Sequence, residues 1–258
     1  MDHNISFETV RKLRALLDTG EITASELLDQ TLSEISRTNP ILNSFVLVTE
    51  SLARTQAKSA DTRIEQGKPI SPIDGIPIAV KDLYDTAGIV TAGGTAAFEN
   101  RIPDHNSYVV DKLQQAGAVI VGKTNTHELA LGGTTNNPHY GPTHNPWNLE
   151  NVPGGSSGGS GAALASGQVP LALGTDTGGS VRIPSAFCGV TGHKPTYGLI
   201  GKSGIIPLSK TLDHAGPMAR TAFDCALLLN QMTGEDINDP HNINFDSSTD
   251  FTRNIEGD

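Results

Sequence analysis

The hydrophobic pattern of the first third of the chain is typical of helices. Apolar residues at helical spacing over 6–19, a capping box that begins at Thr23 and an Ala-rich stretch over 50–66 predict three helices. Pro40 is expected to end the second helix. The short apolar run Phe45–Val48 predicts a strand. These elements are expected to contribute packing rather than chemistry.

The middle of the chain carries the apolar runs of a β-sheet. Ile76–Val80 and Ala118–Val121 flank a helix over 108–116 that Ser107 can cap, which predicts a parallel crossover and an α/β fold. A helix is expected over 158–166, a strand over Val169–Gly174 and a helical turn over Pro184–Gly189. Short strands and turns are expected over 190–218, and a helix over Thr221–Met232. The polar stretch from residue 235 onward is expected to have little order.

Composition excludes several classes of protein. The 258 residues carry a net charge of -10, so a soluble acidic protein with little affinity for nucleic acid or an anionic membrane is expected. No apolar stretch is long enough to cross a bilayer, and the first residues do not resemble a signal peptide, so we expect a cytoplasmic protein. Cys188 and Cys225 are expected to be buried free thiols.

One stretch matches the sequence pattern of a nucleotide-binding motif but not the local structure that the motif requires. Residues 117–124, GAVIVGKT, fit the phosphate-loop pattern, which needs a loop between its glycines to cradle phosphate. The intervening Ala, Val, Ile and Val predict a strand instead, so nucleotide binding is disfavoured. The histidines show no pair at metal-ligand spacing. No metal and no other cofactor is therefore expected.

The most biased stretch is 154–182, in which two glycine-serine loops bracket one predicted strand. Composition alone would suit a flexible linker, but a linker would not lie within an α/β pattern. A serine nucleophile needs a tight turn, donors for an oxyanion and a base. In Thr177-Gly178-Gly179-Ser180 the glycines allow successive N–H groups to converge beside Ser180. These loops are therefore the candidate active site.

An alternative nucleophile is Ser156. Residues 154–158 match the G-x-S-x-G elbow pattern, which needs a preceding strand and a later acid and histidine. A loop broken by proline precedes Ser156, which weakens this interpretation. His193 and His214 stay available as bases, so the alternative stays open.

Lys81 is the candidate base because it follows the predicted strand Ile76–Val80, and ligand sites gather at the carboxyl ends of such strands. The base must be neutral, and the pKa of a lysine is ordinarily about 10.4. Activity near pH 7 requires that this pKa fall by roughly 3, which is about 4 kcal/mol. Desolvation can supply such a decrease. Taken alone, a lysine after a strand is more often a surface charge.

Three segments together resemble the amidase signature family: the serine run 154–198, the lysine segment DGIPIAVKDLYDTAG at 74–88 and the connecting stretch 116–148. The likeness extends from about residue 5 to about residue 240, and the serine run is long and highly specific. The resemblance implies one amidase signature domain over 1–240. It also implies a mixed β-sheet covered by helices on both faces.

The resemblance implies a Ser–cis-Ser–Lys triad. By position in the motifs, Ser180 is the nucleophile, Ser156 is the bridging serine with a cis peptide bond, and Lys81 is the base. The implied reaction is hydrolysis of a small-molecule carboxylic amide through an acyl-enzyme on Ser180. The implied oxyanion donors are the backbone N–H groups of Thr177, Gly178, Gly179 and Ser180. Asp176 and Arg182 are interpreted as support for this loop, and Arg182 as a possible partner for a substrate carboxylate.

Members of that family are much longer than this chain. Residues 241–258 form a polar tail where the family continues into a C-terminal half, so the fold is expected to be incomplete there. The family includes the A subunit of glutamyl-tRNA amidotransferase, a glutaminase with partner subunits. The segment TLDHAGP, 211–217, stands where a Leu-Asp-Gln stretch is expected in that protein. This difference, together with that of the lysine segment KDLYDTAG, 81–88, favours a stand-alone amidase, with a homodimer as its candidate assembly. An amidotransferase component and a catalytically silent binding fragment stay open as alternatives.

Overall fold

The computed structural model describes residues 5–243, 245, 248–253 and 255. Its helices are α1 Val10–Thr19, α2 Ala24–Leu42, α3 Glu50–Glu65, α4 Tyr108–Gln115, α5 Gly158–Ala165, α6 Arg182–Cys188 and α7 Ala222–Met232. Its strands are β1 Phe45–Val48, β2 Pro77–Lys81, β3 Val119–Thr124, β4 Asn136–Asn137, β5 Gly141–Pro142, β6 Leu171–Asp176, β7 Thr191–Gly192 and β8 His214–Ala219. Short 3-10 helices lie at Ala96–Phe98 and Glu128–Ala130.

The main sheet has the strand order β1-β3-β2-β6-β8-β7, and β4 pairs separately with β5. The central strands β3, β2 and β6 are parallel, with Ile78 opposite both Ile120 and Leu171. The outer pairs β1–β3, β6–β8 and β8–β7 are antiparallel, so the sheet is mixed. The parallel crossover from β2 to β3 is confirmed. Because β2 and β6 are parallel, their carboxyl ends, Lys81 and Asp176, lie at the same edge of the sheet.

Helices cover both faces of the sheet, in agreement with the expected mixed α/β fold. Among them, α3 packs on β3, α5 on β6 and α7 on β8. The strands β2, β3 and β6 are buried along their whole length. Cys188 and Cys225 are buried free thiols, as predicted, and burial raises the pKa of each to about 12.

Helix α2 corrects one expectation from the sequence. Pro40 does not end this helix, which continues to Leu42. The residue lies in the last turn, where its missing N–H gives up a single hydrogen bond. The helix ends at Asn43, whose left-handed φ of 51° turns the chain while its N–H donates to the Asn39 carbonyl.

The expectation of little order after residue 235 is wrong for 235–243. Asp236 accepts hydrogen bonds from the backbone and the hydroxyl of Ser203, and the Ile243 N–H donates to the Gly198 carbonyl. The polar side chains of this stretch therefore anchor it to the domain. Residues 244, 246, 247, 254 and 256–258 of the polar tail lie outside the described residues. Within the described part of the chain, none of the helices has the length and apolarity that a membrane crossing requires.

Candidate active site

Three hydroxyl groups surround the amino group of Lys81. The Nζ atom lies 2.7 Å from Ser156 Oγ, 2.8 Å from Ser157 Oγ and 2.8 Å from Thr175 Oγ1. The Lys81 side chain is completely buried. Since Lys81 ends β2 and Thr175 lies in β6, the parallel pairing of these strands brings the cluster together. Lys81 and Ser156, the residues predicted as base and bridging serine, therefore contact each other, and their roles stay a prediction.

Burial lowers the pKa of Lys81 well below its ordinary value, although the carboxylates of Asp176 and Asp213 act in the opposite direction. The hydroxyls around Nζ are neutral, so they do not offset the loss of hydration as a carboxylate in direct contact would. Lys81 therefore gives up its proton more readily than an exposed lysine. In its neutral form the amine can accept a proton from a serine.

The backbone around Ser156 is held from several sides. The peptide bond Gly155–Ser156 is cis, and Ser156 is completely buried. The Ser156 carbonyl accepts hydrogen bonds from the Thr126 hydroxyl at 3.0 Å, the His127 N–H at 3.1 Å and the Thr135 hydroxyl at 3.3 Å. These contacts fix the peptide group that presents the Ser156 side chain to Lys81.

Ser180 lies on the loop that follows β6 and is 8% exposed. Its carbonyl accepts a hydrogen bond from the Ser157 N–H at 3.2 Å, which links the two glycine-serine loops. Over the described ranges, no side chain or backbone group hydrogen-bonds to the Ser180 hydroxyl. The structure therefore joins Ser180 to the cluster through the backbone, and its hydroxyl is available for other contacts.

The carboxylate of Asp176 organises the Ser180 loop. It accepts hydrogen bonds from the N–H groups of Gly179 at 2.8 Å and Val181 at 3.1 Å, and from the Arg182 side chain at 3.0 and 2.9 Å. Burial by itself would raise the pKa of Asp176, but the hydrogen bonds from Arg182 and from the backbone outweigh it and lower the pKa. Asp176 and Arg182 thus support the loop, as interpreted from the sequence.

The backbone donors of this loop differ in availability. The Gly179 N–H is engaged by Asp176, so it does not point freely into the site. The N–H groups of Thr177, Gly178 and Ser180 have no hydrogen-bond partner in the part of the chain that the structure describes. Of the four predicted oxyanion donors, Gly179 is therefore the one that the geometry disfavours. The role of the other three stays a prediction.

A cavity of about 230 Å³ adjoins this cluster. Thr175 and Thr177 form part of its wall, and Leu83, Ile205 and Ile206 make much of the wall apolar. Thr175 also contacts Lys81 directly, so it connects the cavity with the buried cluster. Apolar walls with a few polar groups are typical of sites for small molecules.

The two alternative motifs are not assembled as sites. Residues 119–124 form β3, and the buried Lys123 donates to the Tyr84 carbonyl and the Thr91 hydroxyl. No phosphate cradle is therefore formed there. Neither His193 nor His214 hydrogen-bonds to Ser156 in the described structure, which removes the base that the elbow interpretation requires. Among the residues that the structure describes, no group of three or more His, Cys, Asp or Glu side chains is arranged to bind a metal ion.

Sequence reasoning missed Ser157 and Thr175 as partners of Lys81. Ser157 is the second serine of the GGSSGG run, and Thr175 lies two positions before Thr177 in GTDTGGS. Both could have been considered, because each is a hydroxyl residue within the stretch 154–182 that the sequence had singled out. The sequence did not indicate which of these hydroxyls would face Lys81.

Comparison with known protein families matches residues 26–258 to the family described as Amidase. The A subunit of the glutamyl-tRNA(Gln) amidotransferase of Coxiella burnetii (strain Dugway 5J108-111) is 47% identical over 97% of this chain and 52% of that protein. The native peptide amidase of Stenotrophomonas maltophilia superposes with a TM-score of 0.90 at 33% identity, over 96% of this chain and 53% of that one.

A third similar structure is a chain from a vestigial protein complex that bears on the evolutionary origins of an s-triazine catabolic enzyme. It superposes with a TM-score of 0.89 at 39% identity and covers 91% of this chain and 52% of that one. The present chain spans about half the length of the relatives that it matches.

Proposed function

This chain belongs to the amidase family, and on that basis we propose that it hydrolyses the C–N bond of a carboxylic amide through an acyl-enzyme on Ser180. One observation carries the proposal: a completely buried lysine amine lies 2.7 Å from the hydroxyl of Ser156, on the loop beside the Ser180 loop. A buried lysine without a contacting carboxylate is suited to act as a base rather than as half of an ion pair.

The proposed reaction begins with proton transfer. Neutral Lys81 accepts the hydroxyl proton of Ser156, and Ser156 accepts the hydroxyl proton of Ser180. At the same time the Ser180 oxygen attacks the amide carbonyl carbon. The protonated lysine returns the proton through Ser156 to the leaving nitrogen, and the C–N bond breaks. Water then adds to the ester on Ser180, which releases the carboxylic acid and restores the serine.

The tetrahedral intermediate carries a negative oxygen that must be stabilised. The backbone N–H groups of Thr177, Gly178 and Ser180 are the proposed donors, since none of them is engaged within the described chain. Removing one such donor typically costs about 10²- to 10³-fold in rate. The engaged Gly179 N–H is assigned to loop support instead.

A second candidate function concerns the substrate and partners. The segment 211–217 favours a stand-alone amidase, but the name of the Coxiella relative agrees better with the alternative, an A subunit of a glutamyl-tRNA(Gln) amidotransferase. In that case the amide would be that of glutamine, and partner subunits would receive the ammonia. Both candidates use the same proposed chemistry at Ser180. A cytoplasmic location stays a prediction in either case.

Covalent labelling tests the chemistry without knowledge of the substrate. A fluorophosphonate should form one adduct, mapped by peptide mass spectrometry to Ser180, and the Ser180→Ala variant should form none. Ser166→Ala is the matched control because Ser166 caps the far end of α5, away from the loop, and should label like the wild type. An adduct on Ser156 would revive the elbow interpretation. No adduct on folded protein would favour a catalytically silent fragment.

A second experiment separates the two candidate substrates. Ammonia release is measured from L-glutamine and from a panel of simple primary amides, with Ser180→Ala as the blank. Glutamine-specific release, or a stable complex with other amidotransferase subunits during purification, would support the amidotransferase candidate. Release from simple amides without such a complex would support the stand-alone amidase.

A further inference from the structure

His214 has no role in the proposed reaction, yet its ring reaches the base of the Ser180 loop. It begins β8, directly opposite Asp176 in the pairing of β6 with β8, and lies in the wall of the cavity. Its Nδ1 atom lies 3.1 Å from the Asp176 carbonyl oxygen and 2.6 Å from the Leu212 carbonyl oxygen. Because both neighbours can only accept hydrogen bonds, Nδ1 must carry a hydrogen.

Lys194 determines the state of the other ring nitrogen. Its Nζ atom lies 3.2 Å from His214 Nε2. An ammonium group can only donate, so Nε2 must accept and carries no hydrogen. This geometry makes Nδ1 the donor and Nε2 the acceptor of the ring. The ring of Tyr197 meets the imidazole edge to face, with centroids 5.5 Å apart, and restricts its rotation.

His214 Nδ1–H is shared between the carbonyls of Leu212 and Asp176, and the Asp176 carbonyl belongs to a peptide group of the Ser180 loop. The Asp176 carbonyl and the Thr177 N–H belong to the same planar unit and point in opposite directions. A donor on the carbonyl therefore fixes the direction of the N–H and also polarises it. The neighbouring Asp213 accepts a hydrogen bond from the Thr177 hydroxyl. The consecutive residues Asp213 and His214 thus contact the hydroxyl and the peptide group of Thr177, the first residue of the loop.

We propose that His214 is a positioning residue, which aims the Thr177 N–H toward the oxyanion through an Nδ1–H group that donates to the Asp176 carbonyl. The oxyanion part of this inference rests on the proposed function. The tautomer and the hydrogen bond to Asp176 do not, so they can be tested whether or not Ser180 reacts.

Three substitutions separate this role from a general effect on packing. Asparagine places its amide nitrogen near the position of Nδ1, glutamine places it near Nε2, and leucine has no donor. We expect His214→Asn to label at Ser180 within about twofold of the wild type, and His214→Gln and His214→Leu to label about five- to tenfold more slowly, the effect of one hydrogen bond. Equal loss in all three variants, or loss in none, would overturn the proposal.

Nuclear magnetic resonance tests the tautomer directly. In ¹⁵N spectra of the wild type at neutral pH, the His214 signals are assigned by their absence from His214→Asn and should show a protonated Nδ1 and an unprotonated Nε2. In Lys194→Met the Nε2 signal should change because this nitrogen loses its donor, while Nδ1 should stay protonated between its two carbonyl acceptors. The Thr177 amide proton should shift in His214→Leu and stay in place in His214→Asn. An Nε2–H tautomer in the wild type, or a Thr177 signal that moves in both variants or in neither, would overturn the proposal.

If the wild type fails to label but shows this tautomer and this shift pattern, the proposed amide hydrolysis fails while the coupling of His214 to the Thr177 peptide stands. If the wild type labels but carries its ring hydrogen on Nε2, the proposed amide hydrolysis stands and the coupling of His214 to the Thr177 peptide fails. The two proposals can therefore be distinguished by their outcomes.

Discussion

The Nζ atom of Lys81 lies 2.7 Å from the Oγ atom of Ser156, and both side chains are completely buried. The two residues are 75 positions apart in the chain. Lys81 reaches the contact from the carboxyl end of β2, while Ser156 is held by three hydrogen bonds to its carbonyl. The contact is thus fixed by the sheet on one side and by a loop on the other, which is the preorganisation that a proton-transfer pair requires.

Replacing Lys81 by methionine should remove the base and leave the fold largely intact. Methionine has a similar length and no charge, so the Ser180 hydroxyl should lose its proton acceptor and label about 10²- to 10⁴-fold more slowly with a fluorophosphonate. The matched control is Lys68→Met, at an exposed lysine, which should label like the wild type. A wild-type rate in folded Lys81→Met would show that another group is the base.

The rate of labelling should also depend on pH in a defined direction. Burial lowers the pKa of Lys81, and the neutral form is the active one. The labelling rate should therefore rise with pH through this lowered pKa and become constant well below about 10.4, the ordinary lysine value. A rate that continues to rise through pH 10 would contradict the lowered pKa of Lys81.

The same shift predicts how Lys81 affects stability. Between its lowered pKa and about 10.4, Lys81 is neutral when folded and protonated when unfolded. The unfolded state then binds more protons, so the contribution of Lys81 to the free energy of unfolding rises with pH by up to about 1.4 kcal/mol per pH unit. Urea unfolding of the wild type and of Lys81→Met over pH 6 to 10 measures this difference. A difference that does not change with pH would contradict it.

The two glycines of the Ser180 loop should tolerate alanine differently. Gly179 has a φ of 132°, and an added Cβ would lie 2.8 Å from Ile183 Cδ1, whereas a Cβ on Gly178 would meet nothing within 4 Å. Gly179→Ala should lower the free energy of unfolding by about 1–3 kcal/mol and slow labelling, because the loop must change its backbone. Gly178→Ala should change the free energy of unfolding by no more than about 0.5 kcal/mol. Equal behaviour of the two variants in urea unfolding and labelling would be inconsistent with this loop geometry.

The sequence predicted the elements that carry the site better than the contacts within it. Lys81 could be placed because a lysine that follows an apolar strand lies at the carboxyl edge of a parallel sheet. The resemblance then linked it with Ser156 and Ser180. The roles of Ser157 and Thr175 could not be predicted, because which hydroxyl faces Nζ depends on how β2 pairs with β6 and how the first glycine loop folds over them.

Two other differences arise from side-chain contacts that composition does not reveal. The resemblance implied four N–H donors in the Ser180 loop, but the Asp176 carboxylate accepts a hydrogen bond from the one on Gly179. The polar stretch after residue 235 suggested little order, but Asp236 and Asp239 are buried and accept hydrogen bonds from Ser203 and Lys202. In both cases an aspartate accepts hydrogen bonds from backbone N–H groups of other residues, which the folded chain brings close to its carboxylate.

A second buried lysine gives the last prediction. Lys123 is completely buried, and its Nζ atom lies 3.5 Å from an Asp82 carboxylate oxygen. Burial raises the pKa of Asp82 although the charge of Lys123 acts against it, so the carboxylate depends on this partner. Lys123→Met should lower the free energy of unfolding by about 3–5 kcal/mol, since it leaves a buried carboxylate unpaired. Urea unfolding measures the loss, with Lys68→Met as the control that should lose nothing.

The double variant Asp82→Asn with Lys123→Met identifies the source of that loss. If the unpaired carboxylate is the cause, the neutral asparagine should recover a substantial part of the stability that Lys123→Met loses. Lys123 also donates to the Tyr84 carbonyl and the Thr91 hydroxyl. A double variant no more stable than Lys123→Met would assign the loss to these two hydrogen bonds. The segment after Lys81 would then be held by neutral contacts, and the charge of Lys123 would have no part in positioning the base.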